Sequence, residues 1–104
     1  MRALLINPFE QTIEEIDVGG LADIRQAIGY DTVDSDEIQD SNDRLFFDEE
    51  CFIRQQPRPG RFRLDTLPPV AGIGVVIGGG PEEDKLGDAG LSPETLKSRV
   101  QFTS

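Results

Sequence analysis

The chain has 104 residues, 37% hydrophobic and 29% charged, and its 20 Asp and Glu against 10 Lys and Arg give a net charge of −10. That length makes one domain, residues 1–104, with a modest core. The charge excludes a general binder of phosphate backbones or anionic membranes and favours basic partners. Histidine is absent, which excludes Ser-His-Asp and Cys-His chemistry and removes the commonest metal ligand.

From the start, "RALLI" and "NPFEQTIEEIDV" read as two strands joined by a turn at Asn7-Pro8. Ile13, Ile16 and Val18 do not alternate cleanly on the second. "GLADIRQAIG" places Leu21, Ile24 and Ile28 at helical spacing, with Asp23 in the first turn and Gly29 as the stop. "TVDSDEI" and "RLFFDEECFI" flank the turn formers Asp40-Ser41-Asn42-Asp43, which predicts a hairpin with acids on its tip and outer face. Leu45 and Phe47 share one face of its second strand, Phe46 and Asp48 the other.

"RQQPRPGRFRLDTLPP" is expected to be irregular, because Pro57, Pro59 and Gly60 oppose helix and central strand. "VAGIGVVIGG" then reads as one strand, with Gly72 and Gly74 on a face that another element approaches closely. "GGGPEEDKLGDAG" reads as a loop. Ser92 as N-cap and Pro93 at the first helical position open a second helix carrying Leu96 and Val100. The expected fold is α+β, a small, mostly antiparallel sheet with two short helices.

Cys51 is the only cysteine, so no internal disulfide forms, and its acidic and apolar neighbours make it a buried structural thiol rather than a nucleophile. "MRALLINPFE" has no signal-peptide pattern, and no run approaches the roughly 20 apolar residues of a membrane helix. A cytoplasmic, non-enzymatic protein without cofactor or metal is expected. An EF-hand starting at Asp34 puts Ile38 and Gln39 at positions five and six, and one starting at Asp40 puts Arg44 and Cys51 at positions five and twelve; both registers fail. "GIGVVIGGG" is neither G-x-G-x-x-G nor a P-loop, and the "PEED" after it repels phosphate.

Two clusters remain. Residues 31–50, "DTVDSDEIQDSNDRLFFDEE", hold nine carboxylates and one base, Arg44. Carboxylates crowded on a folded segment cost stability by self-repulsion, which a small domain has little of to spare. Same-face residues of a strand stand roughly 6.8 Å apart, close to the step between phosphates along one nucleic-acid strand, about two rises of roughly 3.4 Å. Asp34, Asp36, Glu37, Asp40, Asp43, Asp48, Glu49 and Glu50 are therefore the candidate partner-binding residues. The other cluster, Arg54, Arg58, Arg61 and Arg63 in "RQQPRPGRFR", either neutralises the acidic hairpin or grips a phosphate together with the glycine strand.

"MRALLINPF" and "LPPVAGIGVVIGG" together resemble a family of small uncharacterised domains from phages, plasmids and other mobile elements. Its members begin with a basic-Ala-Leu-Leu-Ile-(Asp/Asn)-Pro strand and carry a late Pro-x-x-Gly-x-Gly-x-x-x-Gly segment. Neither motif is catalytic; the resemblance implies an accessory gene aimed at host machinery. The expected function is an acidic, nucleic-acid-mimicking inhibitor that occupies the basic surface of a host nucleic-acid-handling complex, such as a CRISPR effector, without contacting nucleic acid or membrane itself. A nucleotide-binding module is the alternative, and a homodimer stays open.

Overall fold

The computed structural model describes residues 1–53 and 60–103. In chain order these form β1 (Arg2–Asn7), β2 (Thr12–Asp17), α1 (Leu21–Ile28), β3 (Val33–Glu37), β4 (Asp43–Asp48), β5 (Arg61–Leu64), β6 (Val70–Ala71), β7 (Gly74–Gly79), a 3₁₀ turn (Glu83–Lys85), β8 (Leu86–Gly87), α2 (Pro93–Arg99) and β9 (Val100–Thr103). The larger sheet runs β2-β1-β7-β4-β3, with β8 also on β7, and the smaller runs β6-β5-β9. Each pairing is antiparallel. The fold is the expected small α+β architecture with two short helices, though its strands divide between two sheets.

Both faces of the larger sheet are covered. On one, Ala3, Phe46, Val75 and Ile77 pack against Ile24 and Ile28 of α1. On the other, Leu4, Ile6, Leu45 and Val76 pack against Phe62 and Leu64 of the smaller sheet and Leu96 of α2. Burial on both sides explains why β7 and the middle of β4 read as continuous apolar runs rather than alternating ones. It also explains β2: Ile13 joins the smaller-sheet side while Ile16 and Val18 join the α1 side, so no single apolar face exists to alternate with.

The first turn closes as the Asn-Pro pair predicts, the Asn7 side chain accepting from the backbone of Phe9 (3.0 Å) and Glu10 (3.3 Å). Helix α1 ends at Gly29, whose N–H donates to the Arg25 carbonyl at 2.7 Å. Its start has no local side-chain cap. Instead Glu83, from the distant "PEED" segment, accepts from the Leu21 N–H at 2.8 Å. An internal carboxylate thus fills the helix N-terminus, where negative charge is favoured.

Four expectations change. "VAGIGVVIGG" is not one strand: Val70 and Ala71 pair with β5, Gly72 turns at φ 93°, and the chain enters the other sheet at Gly74. The segment expected to be irregular contains β5, because Phe62 and Leu64 alternate inward between Arg61 and Arg63. Val100 leaves the second helix and begins β9, opposite Leu64. The loop after β7 holds the 3₁₀ turn and β8. Close approach to the glycines does occur, at Gly74: a Cβ there would stand 2.6 Å from the Phe62 ring and 3.0 Å from a Leu45 methyl. The missing side chain is what lets the Phe62 ring seat one sheet on the other.

Gly74→Ala should therefore overpack this contact and cost about 1–3 kcal/mol, read as a lowered denaturation midpoint at unchanged m-value. Shortening the ring with Phe62→Leu in the same chain should recover part of that loss. Equal stability of Gly74→Ala and the parent would show that the ring does not depend on the glycine.

Candidate functional site

Among the described residues, β3 is the outermost strand of the larger sheet and pairs only with β4. The register sets Asp34 opposite Phe47, Asp36 opposite Leu45 and Glu37 opposite Arg44. The tip is held firmly. The Ile38 N–H donates to the Asp43 carbonyl (3.0 Å), and the Ser41 hydroxyl donates to the Ile38 carbonyl (2.9 Å) and accepts from the Asp43 N–H (3.1 Å). From the end of α2, Arg99 donates to the Gln39 carbonyl at 2.9 Å while its guanidinium grips Asp65. The hydrogen bonds that Arg99 donates to Asp65, and the negative charge of Asp65 and Asp40, raise the Arg99 pKa against the opposing effect of burial. This cation stays charged, and it anchors the hairpin tip to the smaller sheet's end of the molecule.

The eight acids proposed from sequence divide. Asp34, Glu37, Asp40 and Glu49 are exposed, and Asp36 and Glu50 are half-buried. Asp43 and Asp48 are corrected: they are 2% and 3% exposed and serve the chain's own backbone. The Asp43 carboxylate accepts from the N–H groups of Gly90 (2.9 Å) and Leu91 (2.9 Å). Asp48 accepts from the Thr32 hydroxyl (2.6 Å) and the Glu50 N–H (3.1 Å). Buried carboxylates persist only where donors meet them. The alternation already carried a signal, since Asp43 shares a strand face with core residue Leu45 and Asp48 with core residue Phe46.

The open side of β3 is chemically one-sided. The Glu49 N–H donates to the Thr32 carbonyl and the Ile38 N–H to the Asp43 carbonyl. Antiparallel alternation then turns the backbone of Val33, Ser35 and Glu37 outward. Two of those three N–H groups are already used, Val33 on the Asp31 carbonyl (3.0 Å) and Ser35 on the Asp34 carboxylate (2.8 Å). What faces outward is therefore mostly acceptors: backbone carbonyls flanked by Asp31, Asp34 and Asp36. Arg44 pairs with Glu37 at 3.3 Å and donates to the Ser35 hydroxyl at 3.1 Å. With the Glu37 side chain 84% exposed, that pair offsets little charge.

Two further sets of acids escaped the sequence reasoning. Asp31 is exposed beside the start of β3. Glu14, Glu15 and Asp17 lie on β2, the opposite edge of the same sheet, where Arg2 meets Glu15 at 3.2 Å. The "IEEID" run on a strand that fails to alternate was the available clue to an edge.

Of the arginine cluster, Arg54 and Arg58 lie outside the described residues. Arg61 and Arg63 are exposed on the outer face of β5, opposite Thr103 and Gln101. Neither makes an ion pair among the described residues, so these two do not neutralise the hairpin as expected. Nor, among the described residues, does either share a pocket with the glycine strand. Phe62, between them in sequence, points the other way and its ring lies on Gly74. Gly78 and Gly79 are closed off by the backbone carbonyls of Asp88 and Lys85. Cys51 is buried and free. Among the described residues no helix is long and apolar enough to cross a membrane.

Set beside known proteins, the sequence matches no family model, and no characterised protein or solved structure is significantly similar to it.

The two kinds of acid should separate on mutation. Asp43→Ala strands buried N–H groups without an acceptor and should cost about 3 kcal/mol. Asp36→Lys, on the open edge, should stay within about 0.5 kcal/mol of the parent. Urea denaturation of both variants checks this; equal losses would mean that Asp36 is as structural as Asp43.

Proposed function

We propose that the protein is a small acidic binding protein that occupies the basic, nucleic-acid-binding surface of a partner complex, a CRISPR effector being one such complex. The observation that carries this reading is the acceptor-rich edge of β3. A surface that offers carboxylates and carbonyls, with most of its own donors used internally, complements a groove lined by Lys and Arg, which offers only donors. Asp31, Asp34, Asp36, Glu37, Asp40 and Glu49 form the contact. Asp43 and Asp48 serve it indirectly by holding the hairpin rigid, so little ordering entropy is lost on binding.

The edge also disfavours the rival uses of an open strand. Its occupied N–H groups and like charges oppose pairing with a second copy edge to edge. Association with a basic groove would be electrostatically steered and would slow as salt rises. The resemblance of "MRALLINPF" and "LPPVAGIGVVIGG" to domains of mobile elements supplies a context in which blocking a host complex is useful.

The test is displacement of labelled DNA from an effector complex, followed by gel shift. The parent chain should compete, and the triple variant Asp34→Lys, Asp36→Lys, Asp40→Lys should compete roughly a hundredfold less well, as loss of several close charge pairs implies. It should keep the parent's melting temperature within a few degrees. A folded triple variant that competes as well as the parent would remove the edge from the contact and leave the acids a solubilising role.

A further inference from the structure

The smaller sheet carries a surface of opposite character. Register pairs Arg61 with Thr103 and Arg63 with Gln101, and all four side chains are exposed while Phe62 and Leu64 between them are fully buried. The Arg61 guanidinium lies 5.5 Å from the centre of the Phe52 ring. Phe52 is 54% exposed and its neighbour Ile53 is 77% exposed. The Arg63 Nε donates to the Leu67 carbonyl at 3.2 Å, which holds that side chain over its own sheet. In a chain with twice as many acids as bases, two adjacent guanidinium groups without carboxylate partners among the described residues stand out.

From this we infer that the outer face of the smaller sheet is a second docking surface, one that receives an acidic and apolar segment of a protein partner. Charge complementarity defines the acidic half of that partner. Alternate residues of a strand stand roughly 6.8 Å apart along the backbone, so Arg61 and Arg63 leave their strand at the same step as alternate carboxylates on an extended partner segment. Phe52 and Ile53 define the apolar half, since an aromatic ring beside arginine is the composition of protein-binding hot spots. Gln101 and Thr103 can hydrogen-bond a neighbouring main chain or side chain.

A nucleic-acid strand fits less well. Its charge continues beyond any short row of arginines onto a molecule whose net charge is −10, whereas a protein segment brings only the carboxylates that the arginines answer. Arg61 and Arg63 are not among the residues proposed for the β3 edge, so reversing their charge tests this surface and leaves that reading to its own variants.

The experiment is an NMR titration of the isotope-labelled full chain with a short peptide alternating Glu and Leu, with a single-stranded oligothymidylate in a parallel arm. Peptide-induced shifts should centre on Phe52, Arg61, Arg63 and Gln101 and weaken with added salt. Arg61→Glu with Arg63→Glu should abolish them, and Phe52→Ala should weaken binding about tenfold, with the dispersed parent spectrum showing that both variants fold. No shifts at millimolar peptide, shifts centred elsewhere, or shifts that survive the double reversal would overturn the proposal. So would oligothymidylate binding at these residues as tightly as the peptide.

Discussion

The Asp43 carboxylate is the constraint on which the arrangement of the molecule turns. It sits at the mouth of the β3–β4 hairpin, almost without solvent, and accepts from the backbone of Gly90 and Leu91. That segment is also held from its other side, where the Arg2 guanidinium donates to the carbonyls of Ala89 (2.6 Å) and Leu91 (3.2 Å). One acid and one base from distant strands thus clamp a single stretch of backbone, donors on one side and acceptors on the other. The stretch leads directly into α2, so the clamp also places Leu96 in the core and Arg99 against the hairpin tip. A neutral residue at position 43 would leave buried N–H groups unanswered, a cost that packing does not recover.

Where the remaining charge goes follows from the same economy of burial. Carboxylates stay ionised only in water or among donors, and the central strands of a sheet covered on both faces offer neither. Of the acids on the strands of the larger sheet, all but the donor-met Asp43 and Asp48 therefore lie on the outer strands β2 and β3. Their mutual repulsion is weakest there, because solvent and salt screen it. Such edges are also poor templates for strand addition. Avoidance of aggregation and display of an anionic surface are the same structural solution seen from inside and outside.

The opposite signs of the two exposed regions have a common origin in strand alternation. On β5 the apolar residues turn inward to the Phe62–Gly74 contact, which forces Arg61 and Arg63 outward. On β3, the outermost strand among the described residues, the acids meet solvent because nothing described packs beyond that edge. A small domain can thereby carry a cationic face on one sheet and an anionic edge on the other.

Much of this was legible in the sequence. The first hairpin, α1 with its Gly29 stop, the β3–β4 hairpin and the Ser92 start of α2 were all set by local chemistry: an Asn-Pro turn, 3.6-residue periodicity, a cluster of turn formers, and an N-cap followed by proline. The missing histidine and the single buried cysteine likewise bounded the chemistry without any coordinates. Tertiary structure decided the division of strands between two sheets, because at Gly72 a local turn separates two runs that look continuous as letters. It also decided which acids face solvent. Asp36 and Asp43 are the same residue type in the same hairpin, and the donors that bury Asp43 come from residues 47 and 48 positions away. No local pattern announces an acceptor's distant partner, so burial of a charge is a property of the fold rather than of the segment that carries it.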